Sequence, residues 1–177
     1  MIVFDCGACI GAFFRNFLEH EVYAFEPLDR NAAYIRKRYP QVHLIEKAVT
    51  GRSGQQIKLY LSKDPKQAHR AGAQGSSIYA QKTNVNTETF LSVETVALSD
   101  FIRTLGKRVN LLKIDTEGSE FEIFDDLLQN GMVNEIDIIY YEDHRERHPA
   151  MFDLPWTEEV LTRLKAEFKG QLKQAAF

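Results

Sequence analysis

The chain has 177 residues, 44% of them hydrophobic and 27% charged, enough for one domain with a buried core and too little for two. Its 22 Lys and Arg against 25 Asp and Glu give a net charge of −3, which disfavours a broad nucleic-acid surface. Cys6 and Cys9 cannot staple a secreted fold, no apolar run reaches membrane-spanning length and no signal peptide precedes the first strand, so a cytoplasmic protein without a membrane or nucleic-acid partner is expected.

Ile2-Val3-Phe4 is a short apolar run ending at Asp5 and glycine, and reads as a buried strand. Gly11 to His20 carries Phe13, Phe14, Phe17 and Leu18 at helical spacing and predicts a helix. Val22 to Phe25 reads as a second strand closed by Glu26-Pro27, because proline wants an extended residue before it and suits a first helical turn after it. Asn31 to Tyr39 reads as a helix stopped by Pro40, and Val42 to Ile45 as a third strand, an alternation that predicts the parallel α/β class. Gln56 to Leu61 looks like an extra strand, and the polar residues 62–90 a functional variable loop. Then come a strand at Ser92 to Ala97, a short helix at Ser99 to Leu105 and a strand at Asn110 to Asp115. A helix over Glu120 to Gln129, a strand at Ile136 to Glu142 and an amphipathic helix at Thr157 to Phe168 follow, leaving room for at most one more short strand.

The stretch "FDCGACIGAFF" admits a redox pair, half a zinc site or a glycine loop. Zinc needs about four ligands, and no second Cys pair or suitably spaced His completes the set. A thioredoxin-like pair passes the local test but explains none of the acid-rich segments downstream. The glycine reading explains more: strand, Asp5, Gly7, Gly11 and helix form the first turn of a nucleotide-type fold, and Glu26 closes the second strand 19 residues after Gly7, the spacing of a ribose-binding carboxylate. A dinucleotide loop needs a middle glycine where this chain has Cys9, and Asp5 would repel a phosphate. Both acids suit S-adenosylmethionine, which carries an ammonium, a sulfonium and no phosphate.

A second constellation is "NLLKIDTEGSEFEIF". Ligands of open α/β sheets sit beyond the carboxyl ends of the strands, where Asp115 and Glu117 fall. Ser119 and Glu122 read as a capping box, with Glu120 suiting the helix dipole. The next strand ends in Glu142, Asp143 and His144. His144 is the best candidate for the general base because its ordinary pKa lies near neutrality, with an acid among Asp115, Glu117 and Glu142 as the alternative. These acids and the histidine could hold a divalent cation, but a metal-free site is favoured because the acids can face the ligand's positive charge. Lys113, Arg145 and Arg147 read as solvated charges or as contacts to an anionic substrate, and no partner is evident for His20, His43, His69 or His148.

"VFDCGACIGAFF", "YAFEP", "EKAVT", "GSS", "VETVALSDFI" and "LLKIDTEGSEFEIF" resemble, in order, the pattern of the FkbM-type S-adenosylmethionine-dependent methyltransferases. The resemblance covers about residues 2–144, and the segment from Asp115 to Glu120 is its most specific piece. It implies a Rossmann-like class I fold, doubly wound and mostly parallel, in one domain over 1–177, and methylation of hydroxyl oxygens on small molecules, sugars or glycans. By position it implies that Asp5, Gly7 and Gly11 hold the methionine part and Glu26 the ribose, that Lys47 and Ala48 lie near the adenine, and that Asp115 and Glu117 line the methyl-transfer crevice, with Cys9 and Asp115 also among the cofactor-binding residues. Ser76 and Ser77 match a serine pair of the family's variable loop. The fold is expected to be trimmed at both termini, with an open sheet edge that a second copy could cover. The amino-group methyltransferase motif is replaced by Ile114-Asp115-Thr116-Glu117, which favours oxygen as acceptor. The alternatives are an NAD-dependent oxidoreductase, a non-catalytic partner subunit and a redox protein.

Overall fold

Ile2–Cys6 forms β1 in the computed structural model, which describes residues 1–64, 72 and 74–175. Every residue of β1 is buried, because it lies inside a six-stranded sheet between β2 (Glu21–Phe25) and β7 (Val109–Ile114). With β3 (His43–Ile45), β8 (Ile136–Tyr141) and β9 (Gln171–Gln174) the order is β3-β2-β1-β7-β8-β9, and every neighbouring pair is parallel. A second sheet has the order β4-β6-β5. In it β4 (Ala48–Thr50) runs parallel to β6 (Val85–Ala97), and β6 antiparallel to β5 (Gln56–Ser62). The result is an α/β fold with both parallel and antiparallel pairing. Strand order reverses direction between β1 and β7, and in such sheets the ligand crevice lies beyond the carboxyl ends at that reversal.

Alternate side chains of a strand point to opposite faces. Phe4, Phe25, Leu112, Ile114 and Ile139 share one face with buried residues of α2 (Leu98–Leu105), α3 (Glu120–Gln129) and α4 (Leu154–Glu167). Val3, Val22, Ala24 and Leu111 turn the other way, against Phe14 and Ile35 of α1 (Asp29–Arg38). Phe4 is fully buried, with ring centroids of Tyr23, Phe25 and Phe101 at 5.2, 5.5 and 5.6 Å. Truncating such a ring to alanine costs about 3–5 kcal/mol.

Three expectations are corrected and one strand was unforeseen. Residues 11–20 form no α-helix: a 3-10 turn at Phe14–Phe17 stands among tight turns, and the Asn16 side chain donates to the Phe13 carbonyl at 3.1 Å, taking an acceptor a helix would use. β4 was unforeseen; at three residues it is too short to show a period. β6 starts at Val85 rather than Ser92, because β5 supplies a partner for the polar residues before it, through a register shift between Tyr60 and Leu61. The Ser119–Glu122 capping box does not form. Ser119 Oγ donates to the Val49 carbonyl at 2.7 Å, which ties α3 to β4, and Glu122 accepts the Tyr79 hydroxyl at 2.5 Å. Of the expected loop, residues 65–71 and 73 lie outside the described residues, as does His69. Among the described residues the one strand after residue 168 is β9, at the sheet edge.

Candidate active site

Beyond β1 the backbone turns back on the neighbouring strands. Gly7 N and Ala8 N donate to the Phe25 carbonyl at 3.0 and 3.1 Å. Gly7 has φ +78, and a Cβ there would lie 1.8 Å from the Asp115 carbonyl oxygen, so glycine alone lets the loop pass the end of β7. Cys9 has φ +52, and its N–H donates to Glu26 Oε2 at 2.7 Å; Leu28 N–H donates to Glu26 Oε1 at 2.8 Å. Glu26 thus gathers the glycine loop and the entry to α1 around one buried carboxylate. Burial pushes its carboxyl up to about 7, against the pull of those two N–H groups and of Lys113. Asn31, buried in the first turn of α1, sits beside it and accepts from Gly72 N at 2.8 Å.

Asp5 departs from its expected role. It is fully buried and does not line the cavity described below. It is paired in register with Lys113, whose Nζ lies 3.1 Å from Asp5 Oδ1 and donates to the Gly7 carbonyl at 2.9 Å. The ammonium expected beside Asp5 is therefore the protein's own, and Lys113, 3% exposed, is no solvated charge. Burial pulls Lys113 down, but Asp5 and Asp115 outweigh it and hold its pKa raised. Gly11 and Lys47 also lie off the cavity. A Cβ on Gly11 would strike the Phe14 ring at 2.4 Å, and Lys47 pairs with Glu94 at 2.6 Å.

The carboxyl ends of β7 and β8 bring the second constellation together. Glu117 has φ +59. Its Oε2 lies 3.2 Å from His144 Nε2 and accepts from Lys82 Nζ at 2.5 Å. His144 Nδ1 lies 3.1 Å from Glu120 Oε1, close enough for an ion pair but poorly aligned for a hydrogen bond. Glu120 is not merely a dipole partner: it is fully buried, and Oε1 accepts from Thr116 N and Gly118 N, both at 3.1 Å. Burial pulls His144 down, but Glu117 and Glu120 outweigh it and raise it to about 10. Burial likewise opposes Glu117, yet His144 and Lys82 hold its carboxyl down at about 2. A raised pKa favours the imidazolium, which turns the proton-acceptor role toward the acids that the sequence also offered. Asp115 differs: burial pushes it up to about 6, against the pull of Lys113 Nζ at 3.4 Å and His144 Nε2 at 3.9 Å.

Glu142 lies near Asp115 and accepts from Arg147 Nη2 at 2.5 Å, whereas Asp143 turns to Arg145 at 2.7 Å. Asp115, Glu117 and His144 each offer a ligand atom, all within 4.8 Å of one another, a spacing that suits a divalent cation. Lys82 and Lys113 already bring ammonium groups to the same carboxylates, so the metal-free reading stays favoured. The thiols do not suit redox chemistry: burial raises Cys6 well above its ordinary value and Cys9 to about 11.

These groups meet in one cavity of about 980 Å3, counting the solvent at its mouth. Gly7, Cys9, Glu26, Asn31 and Ala48 line it together with Asp115, Glu117, Glu142, His144 and Arg147. Phe25, Leu28, Val49, Leu59 and Ile78 give it apolar wall. A family described as the Methyltransferase FkbM domain matches residues 5–166. The chain belongs to the FkbM methyltransferase family. It is an S-adenosylmethionine-dependent methyltransferase, and the match gives the oxidoreductase alternative no support. No curated protein and no solved structure matches the chain.

Two residues near the methyltransferase's cavity, Lys82 and Asn31, escaped the sequence reading, and Lys113 was read without its partners. Lys82 lies in a polar stretch without period, so nothing marked it. Asn31 read only as the start of a helix. The approach of Lys113 to Asp115 was open to inference, because residues two apart on a strand share a face, whereas its pairing with Asp5 was not.

Proposed function

We propose that the chain methylates a hydroxyl oxygen of a small molecule, sugar or glycan, in the cavity beyond β1 and β7 of a single Rossmann-like class I domain. The observation that carries this is that Glu26 and Asp115 open into one hollow lined also by the glycine loop. The reversal of strand order at β1 and β7 supports the fold reading.

The residues fit the cofactor. Each Glu26 oxygen accepts one backbone N–H, the Asn31 side chain hydrogen-bonds to the same carboxylate, and acceptor capacity remains for a ribose hydroxyl. The apolar wall at Leu28, Ala48, Val49, Leu59 and Ile78 suits an adenine ring, and Asp115 and Glu142 suit ammonium and sulfonium charge. S-adenosylmethionine supplies a methyl group already activated for transfer. The chain supplies orientation and a proton acceptor. Asp115, with its raised pKa, takes the proton that the acceptor hydroxyl sheds as it is methylated. Glu117 and His144, locked together, hold the shape of the crevice around it.

The test is incubation of the protein with S-adenosylmethionine and a small-molecule cell extract, followed by untargeted mass spectrometry. A hydroxylated compound should gain a methyl mass, and Asp115→Asn should abolish the gain. Methylation found only on nitrogen, or unchanged by Asp115→Asn, contradicts the reading.

A further inference from the structure

Lys82 is a buried charged group that the mechanism above leaves unused. Its side chain is 1% exposed, and its ammonium donates to Glu117 Oε2 at 2.5 Å and to the Gly75 carbonyl at 3.0 Å. Residues 74–85 bring it there as a strap. Ser77 bridges to Tyr60 through two backbone hydrogen bonds of 2.8 and 3.0 Å, and its Oγ donates to the Glu117 carbonyl at 2.7 Å. The Tyr79 hydroxyl reaches Glu122, and the Tyr79 ring lies 2.6 Å from where a Cβ on Gly118 would stand. Glu117 is therefore gripped from both ends by one segment: Ser77 at its carbonyl, Lys82 at its carboxylate.

That grip answers a strain. A non-glycine residue at φ +59 costs about 1–2 kcal/mol, and such a conformation persists only where its surroundings enforce it. Released, Glu117 would relax toward a negative φ, and its carboxylate would leave His144. His144 keeps Glu120 at its Nδ1, and its Nε2, now 3.9 Å from Asp115 Oδ1, would turn to Asp115 as the carboxylate next nearest to that nitrogen.

We propose that Lys82 is a positioning residue for methyl transfer: it fixes Glu117 against His144, and so leaves Asp115 as the carboxylate that meets the acceptor hydroxyl. The proposal rests on the assignment of Asp115 as proton acceptor. Lys82 touches neither cofactor nor acceptor, since it does not line the cavity. Its effect falls on the rate of transfer and not on cofactor affinity, which is set at Glu26.

The experiment measures turnover of S-adenosylmethionine by the full chain with a small-molecule cell extract as acceptor source, and S-adenosylhomocysteine binding by calorimetry. Lys82→Met should lower the maximal rate about 10- to 100-fold, the scale of a misplaced catalytic group. The KM for S-adenosylmethionine and the Kd for S-adenosylhomocysteine should stay within about 2-fold, the mark of an interaction that acts on the transition state alone. Lys82→Arg should recover most of the rate. The double variant Lys82→Met/Glu117→Gln should be no slower than the slower single, because both break one contact. A wild-type rate in folded Lys82→Met, or single losses that multiply in the double, overturns the proposal. If Lys82→Met does not fold, Glu117→Gln decides: it keeps the side-chain volume and must show the same loss of rate, and a wild-type rate there also overturns it. Wild-type protein that binds no S-adenosylhomocysteine is a different failure, and it overturns the site assignment beneath.

Discussion

Replacing Glu26 by alanine separates cofactor binding from folding. The carboxylate is 5% exposed and takes N–H bonds from Cys9 and Leu28. Each N–H left without an acceptor costs about 1–3 kcal/mol. An opposing gain comes from the carboxyl itself. Its folded pKa of about 7 lies above the ordinary 4.5, so the native state binds more protons than the unfolded state between those values. Wild-type stability therefore falls as pH rises from 4.5 to 7, by about 3 kcal/mol across the window, and alanine removes that penalty. The two effects oppose each other, so Glu26→Ala should fold with little change in Tm at pH 8. Binding has no such offset. Hydrogen bonds to a charged group contribute about 1.5–3 kcal/mol, so S-adenosylhomocysteine affinity should fall about 10- to 150-fold. Wild-type affinity should itself be about 10-fold weaker at pH 6 than at pH 8, because a group titrating near 7 is mostly protonated at the lower pH. Calorimetric titration at pH 6, 7 and 8 reads both effects. A pH-independent wild type together with an alanine variant that binds within about 2-fold would refute the reasoning.

Gly7→Ala should lower Tm sharply or prevent folding, because its Cβ would stand 1.8 Å from the Asp115 carbonyl oxygen; thermal melting checks it. His144→Ala leaves Glu117 and Glu120 without their shared cation and should cost about 3–5 kcal/mol in urea unfolding. The raised His144 pKa stabilises fully below 6.5, and that contribution is lost as pH rises through about 10. Stability measured from pH 6 to 10 should therefore fall in wild type and stay flatter in the variant. The methylation rate should rise with pH through about 6 as Asp115 ionises, then level off, in a pH–rate profile of the wild type. Cys6→Ser should leave the rate of the folded protein unchanged, where a redox protein would lose it, and should cost about 1–3 kcal/mol of stability because Cys6 is fully buried.

The sequence disclosed the parallel strands and most helices because their signals are local: apolar runs, Pro40 as a stop, and proline placed to open a helix after Glu26. It misjudged residues 11–20, where phenylalanines at helical spacing serve tight turns against β1 and α1 instead. At the site, the spacing of Gly7 to Glu26 and the run from Asp115 to Glu117 found the cavity wall. What stayed hidden was which charge meets which. Asp5 looked like a ligand-facing acid until the β1–β7 register set Lys113 beside it. His144 looked like a base, and only the closeness of Glu117 and Glu120 makes it a held cation. Register and long-range ion pairs have no local signature, and they decide protonation.

The central claim is that the adenosyl cofactor sits in this cavity with its ribose on Glu26 and its reactive end toward Asp115. A crystal structure with S-adenosylhomocysteine tests it most directly. The account predicts ribose hydroxyls within hydrogen-bond distance of the Glu26 carboxylate and the sulfur facing Asp115. Ligand density elsewhere, or a ribose that leaves Glu26 untouched, would contradict it.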